Sequence, residues 1–248
     1  MATSVEATIE MAGAFDRGFP GRSILELKTV TAAERLGPWL ITFAVPEEAR
    51  PFLRRLRKAP DGSNIRCRVT GMGSANATRA LQEEFARERP AAVLTCGFAG
   101  GLDPRWPAGT VLWEADRDFP GSSRWESARL QHGTFHCAER VVVTSAAKRE
   151  LFRETRHDAV EMESGVIRRL CRAEGIPSAT VRVISDAAEE NLPLDFNRLM
   201  DCEMKLRIGR LVWEVMKLPA CIPGLIRFQR QIASAAEGLA EVLTSFTQ

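Results

Sequence analysis

Apolar residues in this chain come in short runs separated by amphipathic stretches. Leu40-Ile41-Thr42-Phe43-Ala44-Val45, Ala91-Ala92-Val93-Leu94-Thr95 and Ala179-Thr180-Val181-Arg182-Val183-Ile184 are the right length for strands buried on both faces. Residues 65–70, 110–113 and 141–144 are further strand candidates. Within 76–88, Ala77, Leu81 and Phe85 recur every four residues while Arg79, Glu83, Glu84 and Arg87 fill the other faces, which predicts a helix. Within 164–174, Val166, Ile167, Leu170 and Cys171 form a second helical stripe, ended by Gly175 and Pro177. Strands alternating with such helices predict an α/β fold in three layers, α/β/α, around a mixed, mainly parallel central sheet.

The two ends of the chain read differently. Residues 1–36 have weak periodicity and several Gly and Pro positions, which predicts an N-terminal arm. Residues 37–200 carry the α/β pattern. Residues 201–248 read as a C-terminal helical extension of the same domain. In that extension Ile208, Leu211, Val212, Val215 and Leu218 share one helical face, Pro219 and Pro223 interrupt it, and Leu225, Ile232, Leu239 and Leu243 mark a second helix.

Composition narrows the function classes. The chain has 248 residues, 45% of them hydrophobic, enough for one sizeable core. Its 34 basic and 32 acidic residues nearly cancel, so overall charge does not point to nucleic acid. The six cysteines are scattered with no Cys-x-x-Cys pair, so no metal site is expected and buried thiols are. Glu6, Glu10 and Asp16 interrupt the first apolar stretches, and no apolar run reaches membrane-spanning length; a cytoplasmic protein is expected. No Gly-x-Ser-x-Gly elbow is present, and with no tyrosine no phenolic acid or base is available.

In open α/β sheets ligands bind beyond the carboxyl ends of the strands. There the first strand is followed by Pro46-Glu47-Glu48, the second by Cys96-Gly97-Phe98-Ala99-Gly100-Gly101, and the third by Ser185-Asp186, while Glu161-Met162-Glu163-Ser164 precedes a helix. Each piece also has an ordinary structural use. Glu47, Glu48 and Glu163 fit helix first turns, and Asp186 fits an N-cap. Gly71-Met72-Gly73-Ser74 opens a helix and offers backbone N–H groups to an anion, yet it lacks the spacing of a P-loop or dinucleotide fingerprint.

Taken in order, five segments resemble the purine nucleoside phosphorylase/uridine phosphorylase superfamily: 44–48, 70–77 (Thr-Gly-Met-Gly-Ser-Ala-Asn-Ala), 97–102 (Gly-Phe-Ala-Gly-Gly-Leu), 160–164 (Val-Glu-Met-Glu-Ser) and 182–186 (Arg-Val-Ile-Ser-Asp). The acidic pair and the Glu-Met-Glu motif resemble methylthioadenosine/S-adenosylhomocysteine nucleosidases. The glycine segments, Asp103-Pro104 and the basic C-terminal tail are similar to hopanoid-associated phosphorylases, which act on adenosylhopane.

The resemblance implies cleavage of the N-glycosidic bond of an adenine-type purine nucleoside. Asp186 would protonate the purine N7, a task for a carboxylic acid that a poorly solvated pocket keeps protonated. Glu48 would activate water, and Glu163 would accept hydrogen bonds from the ribose 2′ and 3′ hydroxyls. Met162 would pack on the sugar, and Glu161, Gly97, Phe98, Ala99 and Ser185 would complete the substrate site. Phe98 stands where related nucleosidases commonly carry Ser or Thr. Ser145-Ala146-Ala147-Lys148 reads as a short loop without an aromatic for adenine, leaving Phe98 or Phe152 to stack on it. No cofactor is implied; phosphate is the alternative co-substrate, with Arg50, Arg68 or Arg79 to bind it. A non-catalytic nucleoside-binding protein on the same fold is the third reading. The implied partners are a small-molecule nucleoside and further copies of the chain in a homo-oligomer. The C-terminal helices either pack on the body or make a peripheral membrane contact. Between Lys205 and Arg230 there are six basic residues against one acidic residue, Glu214.

Overall fold

The computed structural model describes residues 38–58, 64–120, 122, 125, 130–201 and 203–247. The expected arm, 1–36, lies outside the described residues. The central sheet has eight strands, β1 (Trp39–Phe43), β2 (Ile65–Val69), β3 (Ala92–Gly101), β4 (Val111–Ala115), β5 (Gln131–His132), β6 (Phe135–Cys137), β7 (Ala159–Glu161) and β8 (Ser178–Asp186). Its main path runs β2-β1-β3-β8-β4-β5, with β7 paired to the end of β3 and β6 paired to β7. The β2/β1, β1/β3, β3/β8, β4/β5 and β6/β7 pairs are parallel, and β8/β4 and β3/β7 are antiparallel. The sheet is therefore mixed and mainly parallel, as the apolar runs predict.

The described residues include seven helices: α1 (Pro46–Leu56), α2 (Ser74–Arg87), α3 (Ser145–Thr155), α4 (Ser164–Ala173), α5 (Phe196–Leu199), α6 (Ile208–Lys217) and α7 (Ile222–Thr247). Side chains alternate across each strand, and the two faces bury different helices. Ile41, Phe43, Leu94, Cys96, Val181 and Val183 pack with Ala49 and Phe52 of α1 and with Leu239, Ala240 and Leu243 of α7. Leu40 and Val93 point the other way, onto Ala77 and Leu81 of α2 and Ile167 and Cys171 of α4. At roughly 1.5–3 kcal/mol for each fully buried large apolar side chain, these two faces hold the layers together.

Two expectations change. Val141–Val143 form no strand: the Asn197 side chain takes up both backbone groups of Val141 (2.9 Å each), and Val143 accepts from the backbone of Leu192 (2.9 Å). An extended apolar segment can thus satisfy its backbone without a ladder. The supposed short loop at Ser145 is the first turn of α3, whose N-cap Thr144 accepts a side-chain hydrogen bond from the backbone of Ala147. The expected break after Leu218 is present as a 3-10 turn at Pro219–Cys221, and Pro223 falls just beyond it. It lies in the first turn of α7, where a missing N–H costs no helical bond.

Candidate active site

Parallel β1, β3 and β8 are neighbours, so their carboxyl ends and the turns after them converge on one cavity of about 440 Å3. That volume suits a small ligand. Glu48, Phe98, Ala99, Glu161, Met162, Glu163, Ser185 and Asp186 all line it. Of the expected site residues only Gly97 does not. It acts from behind.

Glu48 is the third residue of α1 and serves two ends at once. One carboxylate oxygen accepts from the backbone N–H of Ala44 (2.8 Å) and Val45 (3.1 Å), closing the helix start, and the other accepts from Phe98 N (2.8 Å). A carboxylate has about four acceptor positions, so one remains for the cavity. Burial pushes Glu48 above the usual carboxylate range, against the Arg182 charge and the three backbone donors. Glu47, in contrast, is an exposed surface partner of Arg50.

Arg182, 1% exposed, lies on the β8 face opposite the Val181/Val183 core and gathers the other acids. It donates to Glu161 Oε2 (2.6 Å), Glu163 Oε2 (3.4 Å), Cys96 O (3.2 Å) and Thr95 Oγ1 (3.3 Å). Glu161 is therefore an organiser: it also accepts from the N–H groups of Glu163 and Ser164 and from the Ser164 hydroxyl, capping α4. Burial works against the Arg182 cation, but Glu161, Glu163 and Glu48 outweigh it and hold it charged.

Glu163 meets the glycine turn. Gly73, with φ +83°, aims its N–H at Glu163 Oε1 (2.8 Å). An internal carboxylate thus occupies the anion-binding position that the turn offered to an external phosphate. Burial raises Glu163 to about 7, with Arg182 pulling it down and Glu161 and Glu48 pushing it up. In the unfolded chain it would titrate near 4.5. Between those values the folded state holds a proton that the unfolded state does not, so this group's contribution to stability falls as pH rises. Glu163→Gln cannot titrate, and its Tm relative to wild type should therefore climb from about pH 5 to about pH 8. A difference that stays flat or falls, read by thermal melts across that range, would show that Glu163 is an ordinary carboxylate.

Gly97 has φ +150°, and a Cβ there would come within 2.5 Å of both Glu48 Oε1 and Arg182 Nη1. Only a residue without a side chain lets the acid from α1 and the cation from β8 meet through β3.

Asp186 ends β8 and is gripped on both oxygens. Ser185 Oγ lies against Oδ1, and Oδ2 accepts from the Nζ of Lys148, a residue that sequence reasoning missed. Lys148 is wholly buried. It falls with Leu151, Phe152 and Thr155 on the inward stripe of α3, and a charge in a core stripe was the readable signal. Also missed were Met72, Arg140 and an apolar mouth formed by Leu192, Phe196, Met200, Leu206, Phe228 and Ile232. Phe98 and the Phe196–Phe228 pair (5.8 Å apart) line the cavity, whereas Phe152 does not. The three candidate phosphate cations are elsewhere: Arg50 pairs with Glu47, Arg68 with Glu83, and Arg79 with Asn76. Among the described residues no group of three or more His, Cys, Asp or Glu side chains is placed to hold a metal ion.

A mixed sheet thus lies between helical layers with buried carboxylates at its strand ends, and known proteins share this fold. Residues 114–217 match the family model of the Phosphorylase superfamily, a stretch that includes Lys148, Glu161, Glu163, Arg182 and Asp186. Futalosine hydrolase of Helicobacter pylori strain 26695 is similar at 18% identity and TM-score 0.60, over 85% of this chain and 97% of that one. The 5′-methylthioadenosine/S-adenosylhomocysteine nucleosidase of Helicobacter pylori is similar at 20% identity and TM-score 0.61, over 86% and 98%. The corresponding nucleosidase of S. pneumoniae gives 15% identity and TM-score 0.62, over 85% and 98%. At these identities the likeness establishes the fold. No curated protein sequence matches the chain.

Proposed function

We propose that this protein hydrolyses the N-glycosidic bond of an adenine-type purine nucleoside and releases the free base. Asp186 gives a proton to N7, Glu48 takes one from the attacking water, and Glu163 receives the ribose 2′ and 3′ hydroxyls while Met162 packs against the sugar. One observation carries the choice of water. Glu48, Glu161 and Glu163 surround a single guanidinium, Arg182, whose charge is already shared between Glu161 and Glu163. That leaves the cluster no unpaired cation to receive a phosphate dianion, whereas neutral water enters freely. Chemistry of this kind needs no cofactor. The solved structures of like fold are named as a hydrolase and nucleosidases, which supports the same choice. Release of adenine from a panel of 5′-substituted adenosines, with and without phosphate, tests the proposal. Ribose-type products at a rate indifferent to phosphate are expected. Binding of nucleoside without release would leave a non-catalytic nucleoside-binding protein.

The apolar mouth favours a second reading of the substrate, a nucleoside with a lipid at its 5′ carbon, as in adenosylhopane. Leu206 lines the cavity and is also 44% exposed, so the apolar lining runs out onto the surface. No residue of α6 is buried, and Ile208, Val212, Trp213, Met216 and Leu218 are exposed beside Arg207, Arg210 and Lys217. Among the described residues no helix is long and apolar enough to cross a membrane. An apolar face edged by cations suits peripheral contact with an anionic lipid surface, each cation adding about 1 kcal/mol. Flotation with anionic liposomes should be salt-sensitive and should drop when Arg207 and Arg210 are both changed to Glu. No flotation, with self-association that increases with protein concentration, would assign α6 to a homo-oligomer interface instead.

A further inference from the structure

The reaction drawn above gives Lys148 no part, yet the fold buries it completely against the acid. Burying a lysine costs desolvation and side-chain freedom, and lysines are almost never wholly buried without partners. Here the ammonium donates to three acceptors: the Asp186 carboxylate, Ala187 O (2.7 Å) and Glu190 O (3.0 Å). Three acceptors match the three N–H bonds of the charged form, and a neutral amine would turn its lone pair toward an acceptor. These contacts are those of an ammonium.

Both sides of this contact are tied down. The start of α3 is linked to the turn after β8 by Ser145 N donating to Asn191 Oδ1 (2.7 Å). From the other side, Gln231 of α7 donates to Ser185 O (2.8 Å) and Glu190 Oε2 (2.9 Å). The turn that follows Asp186 is thus held between two helices, which keeps the cation beside the carboxyl.

Resting on the functional reading above, we propose that Lys148 is a positioning residue for proton transfer to the leaving base: it holds Asp186 at the cavity and stabilises the carboxylate left when the proton departs. In that step the Asp186 O–H bond breaks as the N7–H bond forms. The electron pair of the glycosidic bond passes into the base, which leaves neutral. Lys148 keeps its three protons throughout. A neutral acid beside the ammonium becomes an anion beside it, so the attraction grows as the bond breaks, and only interactions that strengthen toward the transition state speed the reaction. In a poorly solvated site that gain is larger than in water.

The test compares two leaving groups. A purine needs the proton, whereas 4-nitrophenyl β-D-ribofuranoside releases a stable anion without one. Lys148→Met should lower kcat on the purine nucleoside by about 10–10³-fold, lower it far less on the nitrophenyl riboside, and Lys148→Arg should recover part of the purine rate. Equal losses on both compounds, or none on either, would overturn the role. Should Lys148→Met fail to fold, Lys148→Gln removes the charge and keeps donors for the two carbonyls. In an Asp186→Asn background Lys148→Gln should cost no further purine kcat; a full additional loss would equally overturn the role, and this arm decides alone if the nitrophenyl riboside is not turned over. A wild type that releases adenine from no nucleoside refutes the functional reading and this inference with it. An active wild type with equal losses refutes only Lys148.

Discussion

Asp186→Asn should keep the fold and slow adenine release by about 10²–10⁴-fold, the span for losing a positioned general acid. Asparagine is the informative change because of what surrounds the group. Its amide oxygen can still accept from Lys148 Nζ, so the ammonium keeps its neighbours, Ala187 O and Glu190 O included. Alanine would instead strand a buried charge, at a cost on the order of 3–5 kcal/mol, and a loss of activity would then mix chemistry with unfolding. Circular dichroism and melting of the Asn variant establish the fold first. Near-normal release of adenine by that folded variant would remove Asp186 from the reaction.

Glu48→Gln is the second large effect, expected to remove at least about 10²-fold of the hydrolytic rate if this carboxylate accepts the proton of water. Here stability should fall too. Glu48 uses both oxygens on backbone donors, two N–H groups on one and Phe98 N on the other. A glutamine offers one oxygen, and its NH2 must face at least one of those donors. A buried donor left unpaired costs about 1–3 kcal/mol, or roughly 2–12 °C in Tm at about 2–4 °C per kcal/mol for a domain of this size. The phosphate experiment separates the two meanings of a lost rate. If the wild type makes ribose 1-phosphate, and only when phosphate is supplied, water is not the nucleophile and Glu48 has another task.

The main strands and the site were legible for different reasons. Apolar runs that must lie inside a sheet leave little alternative, so β1, β3 and β8 and the helices α2 and α4 follow from pattern alone. Acids placed directly after such runs then had to meet at one sheet end, which is why Glu48 and Asp186 line a single cavity, while Glu163 reaches it from the start of α4. What escaped was non-local. The Asn197 amide stands in for a strand neighbour of Val141, and no period in the sequence announces that. Lys148 was hidden because a basic residue in a segment taken for a loop has no face. Once α3 is a helix, the same lysine sits in its inward stripe. Glu161 was expected to touch substrate, and its carboxylate is largely spent on α4 and Arg182. The short strands β5, β6 and β7 exist only through their pairing and carry little pattern of their own.

On the proposed function, Gly97 marks off the chemistry from the choice of substrate. Because a side chain at that position would strike both Glu48 and Arg182, Gly97 itself admits few single-step variants. Apart from Leu192, the mouth is built from other stretches of chain, Phe196 on α5, Phe228 and Ile232 on α7, and Met200 and Leu206 between. None of those five residues makes a polar side-chain contact with the acid cluster, so exchanging them should spare the proposed bond cleavage. Diversity among close relatives should therefore concentrate after residue 190, with the inner wall nearly frozen, and a laboratory library that varies only the outer five positions should change which 5′ group is accepted without extinguishing release of the base.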